Sequence, residues 1–299
     1  MMRRALPTLC LALVTIGLHA QSPAPAGWSA NIAEIRRIAT LIPGRKPLRI
    51  NVLKFAESHR TKNFSVKGEP ATPSVQARTV FQVVYPDGTV MVDAGMDEAM
   101  HKQIGRGAAG EPYFPQQAQE VDKALRAARS IVFTHEHGDH VTGVIRTPYL
   151  AELAPKTILT RAQVTTLETR PQFPDLKITG EQAQRYHIID YDRYMAFAPG
   201  WTLIKAAGHT PGSQMMFITL ESGREYLLIG DTAWHMDGVR KNVGKDAPWI
   251  VEDTAAVNDQ LKWLNGLYNT EKNLIIIASH DDDEHKELIA KKLLGGKLE

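Results

Sequence analysis

The chain has 299 residues, of which 43% are hydrophobic and 23% are charged, and its formal net charge is +2. These values are typical of a globular protein with one large domain or two small ones. They argue against a strongly basic nucleic-acid-binding protein and against an acidic disordered chain, so we expect a small-molecule substrate and no nucleic-acid partner.

The N-terminus is typical of a cleavable export signal. Residues 1–4 carry two arginines, residues 5–18 are mostly apolar but too short for a comfortable membrane span, and Ala20 is small. We therefore predict a signal peptide over residues 1–20, a periplasmic or secreted protein, and no stable membrane anchor. Cleavage would remove Cys10, the only cysteine, so a metal site in the mature chain must use nitrogen and oxygen ligands.

Hydrophobic periodicity predicts a chain in which strands and helices alternate. A Pro/Ala-rich lead-in and a first helix fall within residues 21–46. The predicted strands cover residues 48–55, 79–85, 89–93, 130–134, 157–160, 187–192, 195–206, 215–220, 226–230 and 274–278. The predicted helices cover residues 29–41, 115–129, 161–168, 251–268 and 284–294. The longer connections are a loop or flap at 56–73, a glycine-rich segment at 105–115 and a loop at 234–249.

Hairpins mixed with helical crossovers predict helices that cover stacked sheets. The hairpin signal is Pro86-Asp87-Gly88, which separates two predicted strands. The second of these strands ends at Asp93, which is either a turn cap or a partner for a metal-bound histidine. We favour the second interpretation because a cluster of candidate ligands follows along the chain.

Residues 134–140 (THEHGDH) hold four potential metal ligands, namely His135, His137, Asp139 and His140. Alternate side chains of an extended segment point the same way, so the first two histidines can bind one ion. Gly138 allows a sharp backbone turn, which leaves the last two ligands free to face a second ion. A polar loop with chance histidines fits less well, because the chain has only 11 histidines in 299 residues.

Three later segments each end an apolar strand with a histidine or an aspartate. They supply His209, Asp231 and His280. Each alone is also typical of a turn or a helix cap, but loops at one end of a sheet can converge on a site. Seven ligands fit two divalent ions. Imidazole and carboxylate together favour zinc, with iron or manganese as alternatives.

The predicted ligands divide into two groups around one shared carboxylate. Asp231 would bridge the two ions. The first ion would be held by His135, His137 and His209, and the second by Asp139, His140 and His280.

This pattern resembles the metallo-β-lactamase superfamily, whose His-x-His-x-Asp-His motif matches residues 135–140 and whose later ligands match in order. The resemblance covers roughly residues 48–280. It implies an α/β fold, the four-layer αβ/βα sandwich, with a dinuclear site at one edge. We therefore expect a hydrolase domain over residues 47–299.

Departures from individual families narrow the expected activity. Class B β-lactamases of the cysteine-ligand type need a cysteine at the position of Asp231. Glyoxalase II enzymes carry a C-terminal helical domain, whereas the given sequence continues for only a short segment after His280. N-acyl homoserine lactone lactonases are similar around His209, Asp231 and His280. They usually place a tyrosine three positions after the bridging aspartate, where this chain has Trp234.

The resemblance implies that a bridging hydroxide attacks an ester-type carbonyl, most readily that of a lactone. Asp139 would be both a ligand and a proton relay to the leaving group. The open alternatives are a β-lactam hydrolase, a phosphodiester or thioester hydrolase, and a zinc-binding protein without activity. We expect Trp234, Lys241 and Lys245 to line the substrate cleft, His235 to be a spectator and His285 to lie on the surface.

Overall fold

The protein is described by a computed structural model over residues 27–105 and 110–299. The predicted signal peptide, residues 1–20, lies outside the described residues, as does part of the glycine-rich segment at 105–115. Among the described helices, none is long and apolar enough to cross a membrane.

Two mixed β-sheets form the centre of the described chain. The first sheet contains, in spatial order, β1 (Arg49–Thr61), β2 (Pro73–Tyr85), β3 (Gly88–Val92), β4 (Ser130–Val132), β5 (Thr157–Thr160) and β6 (His187–Ile189). The second contains β7 (Tyr194–Ala198), β8 (Trp201–Lys205), β9 (Gln214–Thr219), β10 (Glu225–Leu228) and β11 (Leu274–Ile277). Strands β1 to β3 are antiparallel, β3 to β6 are parallel, and β10 and β11 are the parallel pair of the second sheet.

Helices cover the outer faces of both sheets. They are α1 (Ile32–Ile38), α2 (Lys62–Ser65), α3 (Glu98–Ile104), α4 (Pro115–Ala127), α5 (Gly138–Ile145), α6 (Leu150–Leu153), α7 (Arg161–Thr169), α8 (Gly180–Ala183), α9 (Met236–Lys241), α10 (Thr254–Thr270) and α11 (Asp282–Ala290). Three single 3₁₀ turns occur at Ala154–Lys156, Pro174–Leu176 and Gly230–Thr232.

Three apolar clusters define the layers. The cluster between the two sheets includes Phe81, Trp201 and Tyr226, all fully buried. A second cluster joins the first sheet to α4 and α5, and a third joins the second sheet to α1 and α10. Because burial of one such side chain contributes about 1.5–3 kcal/mol, these layers supply most of the driving force for folding. The four-layer αβ/βα sandwich confirms the predicted fold class.

The prediction of a loop or flap at residues 56–73 is wrong for residues 56–65. Strand β1 continues to Thr61 and pairs with β2 from Pro73 onward, and α2 and an irregular segment at 66–72 connect the two strands. The polar side chains that resemble a loop in sequence are paired inside the hairpin. Gln76 Nε2 donates to Ser65 Oγ at 3.0 Å, and Arg78 donates to Ser58 Oγ. Polar residues can therefore occupy a buried strand here because each finds a cross-strand partner.

Three smaller predictions also need correction. The strand predicted over 195–206 is a hairpin, because Pro199 and Gly200, the latter at φ +78°, form a turn between β7 and β8. The loop predicted over 234–249 contains α9, whose N-cap His235 accepts a hydrogen bond from the Asp237 amide. His285, predicted to lie on the surface, is buried, and its Nε2 lies 2.8 Å from the Ala278 carbonyl oxygen.

Candidate metal centre

The seven candidate ligands meet at one edge of the sandwich. They come from the segment after β4, the first turn of α5, and the segments after β8, β10 and β11. Their ligand atoms form three overlapping groups with all atoms within 4.8 Å of one another: His135, His137 and His209; His135, His140 and Asp231; and Asp139, His140 and His280. The first and third groups correspond to the two predicted ion positions.

The Asp231 carboxylate lies between the two groups. Its Oδ2 is 3.8 Å from His135 Nε2 and 3.6 Å from His209 Nε2. Its Oδ1 is 3.6 Å from His140 Nε2 and 3.1 Å from His280 Nε2. His280 Nε2 lies equally close, at 3.1 Å, to Oδ2. The carboxylate is therefore within reach of both groups, as a bridging ligand must be.

Helix α5 positions three of the candidate ligands. His137 is its N-cap residue, and Asp139 and His140 lie in its first turn. Gly138 does not form the sharp turn that we predicted. It is the first helical residue, and a Cβ there would lie 2.8 Å from Met100 Sδ, so the glycine is needed for close packing.

Hydrogen bonds on the outer side of the cluster orient three imidazoles. His140 Nδ1 lies 2.8 Å from Asp93 Oδ2, His209 Nδ1 lies 2.9 Å from Glu252 Oε2, and His280 Nδ1 lies 2.7 Å from the Ala77 carbonyl oxygen. In each ring the Nε2 atom is thereby directed inward. Metal-binding histidines typically have such an outer acceptor, which fixes the ring and the tautomer.

Asp93 has the geometry expected of a partner for a metal-bound histidine. It is buried, its φ of +64° lies in the left-handed region, and its Oδ1 accepts a hydrogen bond from the Thr134 amide at 2.7 Å. This backbone conformation is costly for a residue other than glycine and occurs often at functional sites. Asp93 connects β3, β4 and His140.

We expect Asp93→Asn to weaken metal binding about 10- to 100-fold, the usual effect of losing an outer-shell carboxylate. An asparagine keeps the shape but removes the charge that faces His140 Nδ1. Competition with a chromogenic chelator measures the change. Asp87→Asn is the matched control, because Asp87 lies in the exposed β2–β3 turn. Equal affinities in the two variants would contradict the role of Asp93.

The residues present fit divalent cations. His135 Nε2 and His140 Nε2 are buried and have no hydrogen-bond partner among the described residues. An unsatisfied buried polar atom costs about 1–3 kcal/mol, which a bound cation would offset. Burial lowers the pKa of His137 to about 3, so this imidazole is neutral and able to bind a metal. Although burial opposes ionisation, neighbouring imidazoles hold the pKa of Asp231 well below its usual range.

Two residues that contact the candidate ligands belong to no recognisable sequence motif. Arg78 is buried, contacts Asp139 Oδ2 through Nη1, and donates to Ser58 Oγ at 2.9 Å through Nη2. Glu252 accepts from His209, as described above. Arg78 sits within a strand and Glu252 precedes a helix, so only the folded structure brings either of them to the cluster.

The three residues predicted to line the substrate cleft have other roles. Trp234 is 8% exposed, and its Nε1 donates to Asp231 Oδ2 at 2.8 Å. Lys245 is buried and pairs with Glu252 Oε2 at 3.0 Å, so its ammonium is not free for a substrate. Lys241 is exposed and pairs with Glu69. These predictions are wrong because proximity in sequence to Asp231 does not place a side chain in the cleft.

An open cleft of about 760 Å³ adjoins the cluster at His137 and His209. Helix α7 lines one side, and the segment around Glu252 lines the other. Its volume is in the range of small-molecule sites. Access to the cluster from the cleft therefore passes the first histidine group.

A histidine–aspartate cluster at the edge of a four-layer sandwich is the arrangement of a metallo-hydrolase. The family model described as the beta-lactamase superfamily domain matches residues 89–274, which is more than half of the chain. The chain belongs to this superfamily and is one of its hydrolases.

Similar proteins of known sequence or structure include several lactonases. An N-acyl homoserine lactonase from Bacillus cereus is 25% identical over 215 residues, covering 67% of this chain and 79% of the relative. A solved quorum-quenching N-acyl homoserine lactone lactonase superposes with a TM-score of 0.65 at 19% identity, covering 82% of this chain and 97% of that one. A dizinc quorum-quenching lactonase in complex with a product has a TM-score of 0.58 at 15% identity, with coverages of 80% and 91%.

Proposed function

We propose that the protein is a dinuclear metal-dependent hydrolase of an ester-type bond, most readily of a lactone, with zinc as the favoured metal. The observation that carries the proposal is the position of Asp231, whose carboxylate lies between the two ligand groups and within 3.8 Å of histidines from both. The choice of a lactone is supported by the names of the relatives, which are N-acyl homoserine lactonases.

When bound, two divalent ions would lower the pKa of a bound water and polarise the substrate carbonyl. The residues of the chain would supply the ligands of both ions. His135, His137 and His209 would hold the first ion beside the cleft, and Asp139, His140 and His280 the second, with Asp231 shared.

Asp139 is the proposed proton relay to the leaving-group oxygen. Burial opposes its ionisation, but His140 and Arg78 hold its pKa well below the usual range, so the group is a carboxylate. Arg78 contacts its Oδ2 from the outer side and fixes its orientation. Trp234 holds Asp231 in the same way, through an indole N–H in place of a phenol.

A hydrolysis panel on the metal-loaded protein tests this function. The panel contains lactones, thioesters, a β-lactam and bis(p-nitrophenyl) phosphate, with His137→Ala as the control. We expect lactones to have the highest kcat/KM and the variant to be inactive on all substrates. Faster turnover of the β-lactam or of the phosphodiester would reassign the substrate class.

We also propose that the protein is exported after removal of residues 1–20. The basic start, the apolar segment and the small residue at position 20 support this proposal. Intact-mass measurement of the protein expressed in a bacterium with a periplasm should give a chain that begins at Gln21 in the periplasmic fraction. An intact Met1 in the cytoplasmic fraction would contradict it.

A further inference from the structure

The walls of the cleft beside the metal cluster indicate what kind of substrate it accepts. On one side, α7 presents Thr165, Thr166 and Thr169, and the chain then continues through Arg170 and Gln172. The three threonine hydroxyls donate to backbone carbonyls of the same helix at 2.6–3.0 Å. They therefore have no donor left for a substrate, and this wall is only weakly polar.

Two groups in the same wall do offer donors. Arg170 is exposed, and its guanidinium makes no hydrogen bond or ion pair with any described residue. Gln172 Oε1 accepts from the Gly138 amide at 2.8 Å, which fixes the side chain, while its amide nitrogen has no partner in the described chain. A guanidinium and an oriented amide that line the same cleft can together bind a carboxylate.

Each acidic residue of the cleft is held by donors of the protein, and one of them, Glu252, is paired with a cation. Glu136 accepts from Thr210 Oγ1 at 2.8 Å and from the Gly212 amide at 3.1 Å. Glu252 is bound by His209 and Lys245. Asp253 caps α10 by accepting from the Ala256 amide. Arg170 is thus the charged side chain of the described lining that has no partner.

Most of the exposed surface of the cleft is apolar, but small side chains and threonine methyl groups supply it. The described lining contains no leucine, isoleucine, methionine, phenylalanine, tyrosine or tryptophan. Its apolar surface comes from Ala162, Ala207, Pro211 and Val251, of which Val251 is 92% exposed. A long alkyl chain would therefore have no large apolar side chain to pack against, whereas a chain of a few carbons needs none.

We propose that the substrate carries an anionic group, such as a carboxylate, a few carbons away from the bond that is cleaved, and that Arg170 binds this group with help from Gln172. This inference rests on the proposed function, since it takes the ester-type bond to lie at the metal cluster. It makes Arg170 a specificity-determining residue that does not take part in the chemical step.

Matched lactones test the proposal on the metal-loaded protein. N-glutaryl and N-pentanoyl homoserine lactone have acyl chains of the same length and differ in the terminal carboxylate, and N-decanoyl homoserine lactone tests a long chain. We expect the glutaryl compound to be preferred about two- to fivefold in kcat/KM, mainly through KM, because an ion pair at an exposed site is of this order.

Two variants separate the role of Arg170 from a general effect of charge. Arg170→Gln should remove the preference and leave turnover of the pentanoyl lactone within about twofold, since binding of the neutral chain does not use the guanidinium. Arg161→Gln is the control, because Arg161 is exposed on the same helix and does not line the cleft. It should keep the preference.

Calorimetry with the two ring-opened products gives a second readout that needs no turnover. The glutaryl product should bind more tightly than the pentanoyl product to the parent protein and equally to Arg170→Gln. Equal kcat/KM for the matched lactones, a preference for the decanoyl lactone, or equal binding of the two products would overturn the proposal. Loss of ring opening for all three lactones would instead contradict the proposed function, and product binding would still decide the role of Arg170.

Discussion

Replacing Asp231 with asparagine should lower lactone hydrolysis by roughly three orders of magnitude or more and reduce the metal content from about two ions per chain to about one. The loss of water activation and of carbonyl polarisation is worth several kcal/mol, and each 1.36 kcal/mol is a factor of ten in rate. An asparagine has one oxygen where the aspartate has two.

The structure also indicates that Asp231→Asn loses the second ion, the one held by Asp139, His140 and His280. Trp234 Nε1 donates to Oδ2 of Asp231, so the oxygen of an asparagine would remain at that position. Its NH₂ group would then face His140 and His280, where a cation cannot bind next to a donor. Metal analysis of the purified variant measures the stoichiometry. Asp246→Asn, at an exposed aspartate, is the control and should keep both ions and full activity. Two tightly bound ions in Asp231→Asn would contradict the bridging role.

Replacing Lys245 with methionine should destabilise the protein by about 3–5 kcal/mol, the usual effect of breaking a buried ion pair. The Lys245 side chain is 1% exposed, and its Nζ lies 3.0 Å from Glu252 Oε2 and 3.1 Å from the Thr232 carbonyl oxygen, and also contacts the Asp231 carbonyl. A methionine of similar length would leave the Glu252 carboxylate buried without its cation. Urea unfolding of the metal-free protein measures the change.

Lys241→Met is the matched control for this variant. Lys241 is exposed and pairs with Glu69 at the surface, so its loss should cost less than about 1 kcal/mol. The comparison separates burial from the loss of a positive charge. Similar unfolding free energies for the two variants would show that the Lys245–Glu252 pair is not structural.

The meeting of the seven candidate ligands at one site was predictable, because each of them stands in a recognisable local sequence pattern. His135, His137, Asp139 and His140 fall within six residues, and the later ligands each end an apolar strand. Strand ends are brought together by the sheets themselves, so these signals carry information about position in the fold. The role of each residue as a ligand stays a prediction.

The contacts that support the ligands were not predictable, because they come from residues whose local sequence is ordinary. Arg78 lies in β2 just before the strand predicted over 79–85, because the polar residues at the start of β2 are buried only by cross-strand pairing. Lys245 and Glu252 are close in sequence, but nothing in that segment shows that they are buried against each other and His209. Burial of polar groups depends on partners that are distant along the chain, which local periodicity does not report.

The most direct test of the metal centre is anomalous diffraction at the zinc edge from crystals of the zinc-reconstituted protein. We expect two peaks about 3.5–4 Å apart, one among His135, His137 and His209 and one among Asp139, His140 and His280. Asp231 should contact both. A single peak, or peaks away from these residues, would contradict the dinuclear centre from which the proposed chemistry follows.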